Sequence, residues 1–283
     1  MTGRTREQWQ RRGVAAAGVV SLALAVMSCA DVGTGPEDVA SVEFAPLDVP
    51  SVVLGDTLRD ATGAIARIGV IVRNAKGDVI TGVPVRYLYA EFARDSALAI
   101  DSVTGLVRAL RAAKPATGEG NVIAQIGGAL QILRPLVVTT RPDSIVAVST
   151  TTPLLNVAAT ESASNRSEPL QVRVRHVEPA SNATPVTVTE VNAWTVRFEV
   201  VQPANASNDT TALAWLVNDN GRASVTDTTD ASGTAGRRVR IRASLLPMDT
   251  TTSEIRVRAT TTYRGRPVTG SPVTLLLNVR RAR

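Results

Sequence analysis

The chain has 283 residues, of which 44% are hydrophobic and only 3% aromatic, so any core must be built mainly from aliphatic side chains. This length allows two domains of ordinary size, each with a core of its own. The 31 basic residues exceed the 25 acidic residues by only six, and so small an excess argues against nucleic acid as a partner at physiological salt.

The N-terminal segment, residues 1–28, has the pattern of a signal peptide. Four arginines, the last of them Arg12, precede a run of small and apolar residues that begins at Val14. As a helix this run would cover only about 22 Å, less than a hydrocarbon core of roughly 30 Å. We therefore predict that the segment directs export and is then removed.

Val26, Met27, Ser28 and Cys29 resemble the lipobox of bacterial lipoproteins. The resemblance implies that Cys29 is acylated and anchors the mature chain in an envelope membrane, with the outer membrane or cell surface favoured. Two or three acyl chains are enough for stable anchoring. The alternative is an ordinary cleavage site at Ser28 and Ala30, which would release a secreted protein without its only cysteine.

After Cys29 the chain is first a tether and then a series of strands. Residues 29–42 contain Gly, Pro and acidic residues without apolar periodicity, as a linker does. From residue 43 onward, short runs alternate between apolar and polar residues and are separated by turn residues, without a convincing helix, which predicts a β-sandwich or barrel. The expected strands are residues 65–72, 83–89, 121–126, 132–139, 170–177, 194–200, 237–243, 255–261 and 272–279.

Three segments of the first half match one known domain type. Residues 54–57 (LGDT), 99–107 (AIDSVTGLV) and 120–124 (GNVIA) resemble the opening, the later strand pair and the closing portion of the group 2 bacterial Ig-like domain. Tyr87 stands where that family commonly has tryptophan. The resemblance implies an Ig-like sandwich over residues 43–142.

The second half resembles a different Ig-like group. Residues 229–235 (TDASGTA) fit the turn signature of the group 1 bacterial Ig-like domain found in intimin and invasin, and residues 255–260 fit the following strand. Gly233 is expected to adopt a backbone conformation that costs other residues more. The resemblance implies a second sandwich over residues 143–283, so the predicted fold class is all-β with two tandem immunoglobulin-like β-sandwiches.

The sequence offers little material for catalysis. His176 is the only histidine, so a catalytic triad or a multi-histidine metal site has almost nothing to build on, and its parity places it at the edge of a core. Asp227 and Asp230 are the best acidic pair for calcium, but turn aspartates commonly bond nearby backbone instead. We therefore predict no enzyme activity, metal, cofactor or small-molecule substrate.

Arginines alternate with apolar residues along three predicted strands and should all face outward. In an Ig-like arrangement the first two of these strands share a sheet, which would create one basic face, while Arg256 and Arg258 would lie on the other sheet. This face is either a solubilising surface that discourages edge pairing or a contact surface for an anionic partner. Its residues are Arg173, Arg175, Arg238, Arg240 and Arg242.

Together with these patterns, the resemblances to the lipobox and to the Ig-like domains of intimin and invasin imply a membrane-anchored, non-catalytic interaction or adhesion module of the cell envelope. Its partners would be the membrane, through Cys29, and a surface protein or an anionic polysaccharide. A purely structural spacer and a carbohydrate-binding accessory protein are the alternatives. The last of these needs an exposed aromatic ring, and Trp215 is the candidate because neither face of its strand is polar, so that the ring belongs either to a core or to a contact surface.

Overall fold

A computed structural model of the chain describes residues 39–90, 97–110, 118–127, 130–148, 154–180, 186–205, 207–249 and 251–282. Strands dominate these residues, and the only helical segment among them is the 3-10 turn η1 (Ala243–Leu245). The all-β class predicted from the sequence is confirmed.

Twenty strands are present in the described residues. The first eight are β1 (Ser41–Phe44), β2 (Ser51–Val53), β3 (Val70–Arg73), β4 (Val85–Tyr89), β5 (Leu98–Ile100), β6 (Val107–Ala109), β7 (Gly118–Ile126) and β8 (Leu130–Thr139). The remaining twelve are β9 (Ser144–Ala147), β10 (Leu155–Val157), β11 (Leu170–Glu178), β12 (Thr187–Glu190), β13 (Thr195–Gln202), β14 (Ala214–Val217), β15 (Thr226–Thr228), β16 (Thr234–Ile241), β17 (Ser253–Thr260), β18 (Thr262–Tyr263), β19 (Arg266–Pro267) and β20 (Val273–Arg281).

The chain divides into two compact units. Of the described residues, the smaller unit combines residues 39–43 with residues 71–83, and the larger unit contains residues 44–70 and those that follow residue 83. In the smaller unit the amide of Ala40 donates to the carbonyl of Arg73 (2.8 Å), and Arg73 is ion-paired with Glu43. Asn74 closes the following turn, where its side-chain oxygen accepts from the amides of Lys76 and Asp78.

The larger unit contains two β-sandwiches, each with its own hydrophobic core. The first core, called the N-terminal core, lies between the sheet β2-β8-β7-β4 and the ladder β5-β6. Strand β7 alternates regularly, so that Val122 and Ala124 are fully buried and the residues beside them are partly exposed. The fully buried members of this core also include Leu58, Val107 and Ala109.

The C-terminal core lies between two five-stranded sheets. One has the order β10-β20-β17-β13-β15, and the other has the order β12-β11-β16-β14 with β9 also paired to β11. On β17, Ile255, Val257 and Ala259 are fully buried while Arg256 and Arg258 are exposed. Each aliphatic side chain buried in this way contributes roughly 1.5–3 kcal/mol, which is how a core with few aromatic residues holds together.

Strand β2 contributes to both cores. Val52 is 1% exposed in the N-terminal core, whereas Val49 and Val53 belong to the C-terminal core. Between them, the hydroxyl of Ser51 is buried and donates to the carbonyl of Ala193 (2.7 Å). The two cores of the larger unit are therefore connected by packed apolar side chains and a buried hydrogen bond, an arrangement that the sequence alone did not predict.

Some strands differ in length from the sequence-based expectation. Residues 65–72 do not form one strand, because Ile65 bridges to Arg59 and Arg67 bridges to Leu106 before β3 begins. Strand β16 starts at Thr234, three residues earlier than expected, because residues 234–236 continue the ladder with β11. It ends at Ile241, where η1 follows.

Candidate functional site

The predicted anchor lies outside the described residues. Residues 1–38, which include Cys29, are not part of the described chain, so lipidation stays a prediction from the sequence. Among the residues that are described, no helical segment has the length and apolarity that a membrane crossing requires.

The arginines of the predicted basic face lie on one sheet. Strands β11 and β16 are antiparallel neighbours with Arg173 opposite Thr234, as expected from the sequence. The residues between the arginines, including Val174 and Val239, are fully buried in the C-terminal core, so the arginines point away from it. Arg256 and Arg258 lie on β17 in the other sheet, which was also predicted.

Three of the five arginines have acidic partners on the same face. Glu190 of β12 lies 4.0 Å from Arg173 and 3.5 Å from Arg175. Arg238 pairs with two exposed carboxylates, Glu168 (3.3 Å) and Asp219 (3.4 Å). Much of the positive charge at this end of the face is therefore neutralised locally.

Arg240 and Arg242 instead lie over an aromatic ring. Their guanidinium carbons are 5.7 and 5.8 Å from the ring centre of Trp215, which is cation–π distance. Trp215 is opposite Arg240 across β14 and β16, and because Ala214 and Leu216 face the C-terminal core, its ring lies on the outer face. Trp215 is nevertheless only 8% exposed. From the sequence, its ring could belong either to a core or to a contact surface; in the structure it is buried, but on the outer face of the sheet.

A sixth arginine of this face was missed in the sequence. Arg166 is exposed and forms an antiparallel bridge with Arg240. Its neighbours Asn165 and Ser167 are buried polar residues, 1% and 2% exposed, rather than the aliphatic ones that mark a strand. Asn165 is satisfied there by the amide of Ala158 (2.9 Å) and the carbonyl of Thr160 (3.0 Å). Buried polar residues of this kind leave no apolar alternation in the sequence.

The acidic pair considered for calcium is occupied by protein groups. Asp227 is ion-paired with Arg237 (2.8 Å), a buried arginine that the sequence analysis did not single out, and it accepts from the amide of Gly236 (2.7 Å). Asp230 accepts from the amide and hydroxyl of Ser232, which confirms the turn interpretation. Burial alone would raise the pKa of Asp230, but these bonds lower it. The described residues contain no group of three or more His, Cys, Asp or Glu side chains suited to hold a metal ion.

His176 lies near the end of β11 and is bonded to an aspartate. Its Nδ1 is 2.6 Å from Oδ2 of Asp143, which also accepts from the amide of Val177 (3.0 Å). Burial favours a higher pKa for Asp143, but Val177, Arg141 and His176 together lower it. These bonds hold Asp143, which directly precedes β9, against β11, and a structural role of this kind is expected of a histidine at a strand end.

The densest polar cluster surrounds Asp56 and joins segments that are far apart in sequence. The carboxylate, 7% exposed, accepts from Nε (2.9 Å) and Nη2 (3.0 Å) of Arg59, from Nε of Arg264 (3.0 Å) and from the hydroxyl of Tyr263 (2.7 Å). The amide of Thr57 donates a further bond (2.8 Å). The Asp56 cluster is the second link, beside β2, between the two sandwiches.

The protonation states in this cluster follow from the contacts. Burial would raise the pKa of Asp56, but the bonds from Arg59, Arg264, Tyr263 and Thr57 outweigh it and hold the pKa well below the usual value. Burial, and then the bond to Asp56, raise the pKa of Tyr263 to about 12. At neutral pH the aspartate is therefore ionised and the phenol keeps the proton that it donates.

A cavity of about 230 Å³ adjoins the Asp56 cluster. Its walls include Arg59, Trp194, Arg197 and Arg264, with several threonines between them. Trp194 is 5% exposed, and its ring nitrogen donates to the hydroxyl of Thr261 (2.9 Å). Since the ring is buried and its donor is satisfied, Trp194 forms part of the packed joint between the sandwiches.

No protein family model matches the chain, and no curated protein matches it. Among solved structures, it is similar to domains 4 and 5 of the S-layer protein SbsC, with 12% identity and a TM-score of 0.28 over 86% of this chain and 98% of that one. It is similar to human protocadherin-24 EC1-2, with 14% identity and a TM-score of 0.25 over 87% of this chain and all (100%) of that one. A third similarity, to a Salmonella alpha-2-macroglobulin mutant, has 14% identity and a TM-score of 0.32 over 90% of this chain and 16% of that one.

Proposed function

We propose that this chain is an exported, non-catalytic module of the cell envelope, anchored in a membrane through acylated Cys29, that presents a stiff pair of β-sandwiches to another macromolecule. The observation that carries the proposal is strand β2, whose Val52 and Val53 enter different cores. Flexibly linked domains would leave such side chains exposed.

The Asp56 cluster supports the stiffness of the pair. An ionised carboxylate that accepts hydrogen bonds from two guanidinium groups is held firmly in one orientation, because charge-assisted hydrogen bonds are about twice as strong as neutral ones. Arg59 and Arg264 come from the two different sandwiches and meet at this one carboxylate. A stiff pair suits a module that has to hold a binding surface away from its membrane anchor.

The assignment of the two sandwiches to Ig-like groups is part of the proposal. We assign residues 43–142 to a group 2 bacterial Ig-like domain and residues 143–283 to a group 1, intimin/invasin-type domain. Gly233 supports the second assignment: its φ is +70°, as a turn that requires glycine would have.

The geometry favours a binding module over a hydrolase. Asp227 and Asp230, the acidic pair that the sequence offered for calcium, accept hydrogen bonds from backbone amides, and Asp227 is also ion-paired with Arg237. These bonds lower the pKa of Asp230, which makes it a poor general acid at neutral pH. A spacer role remains compatible with the joint, whereas a sugar-stacking platform is disfavoured because Trp215 is 8% exposed.

The anchor is tested by metabolic labelling with a palmitate analogue in cells that express the wild type, Cys29→Ala or the control Ser21→Ala, followed by fractionation. We expect label and membrane association in the wild type and in the control, and loss of both in Cys29→Ala. An unlabelled wild-type protein in the soluble fraction would contradict the anchor.

A further inference from the structure

The arginines on the outer face of the β12-β11-β16-β14 sheet fall into two groups. Arg173, Arg175 and Arg238 have acidic partners. Arg166, Arg240 and Arg242, which we call the Trp215 arginine cluster because the last two lie over that ring, form no ion pair with any described residue. The net positive charge of the face is therefore concentrated at one end.

The backbone pairing places two of these arginines directly opposite each other. The amide of Ser167 donates to Val239 (2.8 Å), and the amide of Ile241 donates to Asn165 (2.9 Å). Arg166 and Arg240 are thus a non-hydrogen-bonded pair, in which opposite Cα atoms are about 4.5 Å apart and side chains lie closest. Arg242 is two residues further along, or about 7 Å.

Like charges directly opposite each other in a sheet are destabilising. At the other end of the same face, Arg173 and Arg175 lie two residues apart on β11, and Glu190 between their charges relieves the repulsion between them. Near Arg242 the acidic residue is Asp209, whose pKa is lowered mainly by bonds from Thr211 and only to a smaller extent by the charge of Arg242. Within the part of the chain that the structure describes, no carboxylate is ion-paired with Arg166 or Arg240 as Glu190 is with Arg173 and Arg175.

We propose that the Trp215 arginine cluster binds the sulfate or carboxylate groups of an acidic polysaccharide. Guanidinium groups match such planar or multi-oxygen anions through paired donors, and a bound anion would relieve the repulsion between Arg166 and Arg240. The proposal rests on the interaction role given above, but it does not depend on the lipid anchor.

The chemistry of the cluster favours a polysaccharide over nucleic acid. Single-stranded nucleic acids are held by bases stacked on aromatic rings, and the ring available here is covered by Arg240 and Arg242. Duplex binding needs many phosphates neutralised at once, whereas this cluster offers three arginines. Anionic groups spaced along a flexible glycan can be bound by two or three guanidinium groups without stacking.

The test measures binding of the full chain to a heparin oligosaccharide at low salt, with tryptophan fluorescence as a second signal because Trp215 lies beneath the cluster. We expect Arg166→Gln/Arg240→Gln to weaken binding about tenfold. The matched control Arg173→Gln/Arg175→Gln removes the same charge from the same face, and we expect it to change binding by less than about twofold. The thermal midpoint of the cluster variant should change little, because the removed repulsion and the lost contact of Arg240 with the Trp215 ring oppose each other.

Two results would overturn the inference. Equal losses in the two double variants would show that only net charge matters, and tighter binding of a single-stranded oligonucleotide of equal charge would replace the polysaccharide with nucleic acid. The inference can also be separated from the proposed anchor, because a selective loss of heparin binding in the cluster variant would stand even if wild-type Cys29 carried no label.

Discussion

Val52 and Val53 are adjacent in β2, yet their side chains enter different hydrophobic cores. Successive residues of a strand point to opposite faces, so a strand placed between two cores serves both. The parallel ladder of β2 with β8 fixes this orientation, with Val52 opposite Val138. Residues 51–53 were assigned from the sequence to the first sandwich but were not among the expected strands, and Val53 is part of the second core.

Removing either valine should weaken the whole larger unit. We expect Val52→Ala and Val53→Ala each to lower the free energy of unfolding by roughly 1.5–3 kcal/mol, since both residues are buried. The informative variant is Val52→Ala, because its side chain lies in the N-terminal core while Trp194 reports on the C-terminal core.

Guanidinium denaturation followed by tryptophan fluorescence measures this coupling, in a Trp9→Phe background that leaves Trp194 and Trp215 as reporters. The fluorescence midpoint should fall in both valine variants. If Val52→Ala changed the circular dichroism transition but left the fluorescence transition in place, the cores would be independent.

Asp56→Asn should destabilise the chain in a pH-dependent way. The folded-state pKa of Asp56 is lowered, so its contribution is fully present above the unfolded value of about 3.9 and is lost as the pH falls below it. At pH 7 we expect the free energy of unfolding to fall by roughly 2–3 kcal/mol, less than for a fully buried pair because the Arg264 side chain is exposed.

Denaturation midpoints of the wild type and Asp56→Asn, measured from pH 7 down to about pH 3, test the sign of this effect. The difference should shrink toward the acid end. Asp219→Asn is the control, because that carboxylate is 88% exposed, and it should change little. A difference that grew on acidification would contradict the charge assignment of Asp56.

Gly233→Ala should destabilise the folded chain more than the same substitution at another glycine with a positive φ. Both Gly233 (φ +70°) and Gly221 (φ +76°) have positive φ. A Cβ on Gly233 would lie 2.7 Å from the carbonyl oxygen of Val174, whereas nothing lies within 4 Å at Gly221. We expect Gly221→Ala to lower the free energy of unfolding by about 1 kcal/mol and Gly233→Ala to lower it by at least 1 kcal/mol more. Thermal denaturation measures the difference. Equal losses would mean that the turn relaxes around the new methyl group.

Substitution of Thr229 tests how much its two buried hydrogen bonds, one of them with the amide of Trp194, contribute to stability. Its hydroxyl, in a residue 3% exposed, donates to the carbonyl of Val191 (2.7 Å) and accepts from the amide of Trp194 (2.9 Å). Thr229→Val should therefore lower stability by roughly 2 kcal/mol. Thr228→Val makes the same change at the exposed neighbouring residue and should cost less than about 0.5 kcal/mol. Similar losses in the two variants would rule out a special role for the Thr229 bonds.

The elements that could be predicted from sequence are those with local periodicity. Alternation of arginine with valine or isoleucine correctly assigned the faces of β11, β16 and β17, and the Gly233 turn followed from its residue types. These patterns depend on the period of two and on turn chemistry, both of which act within a few residues.

The features that could not be predicted depend on contacts between distant segments. Asp56 and Tyr263 are 207 residues apart in sequence, and a lone aspartate in a loop has no local sign of two arginine partners. Arg166 lies between buried polar residues that break the apolar pattern. Strand β2 was not among the expected strands, because SVV has no alternation of apolar and polar residues, and no local pattern shows that its two faces enter different cores.

The most direct test of the central claim, that the two sandwiches form one stiff unit, is differential scanning calorimetry of the wild-type chain at neutral pH. The shared strand and the Asp56 cluster predict one transition whose calorimetric and van't Hoff enthalpies agree. Two resolved transitions, or a van't Hoff enthalpy near half the calorimetric value, would show that the sandwiches unfold independently and would contradict the account.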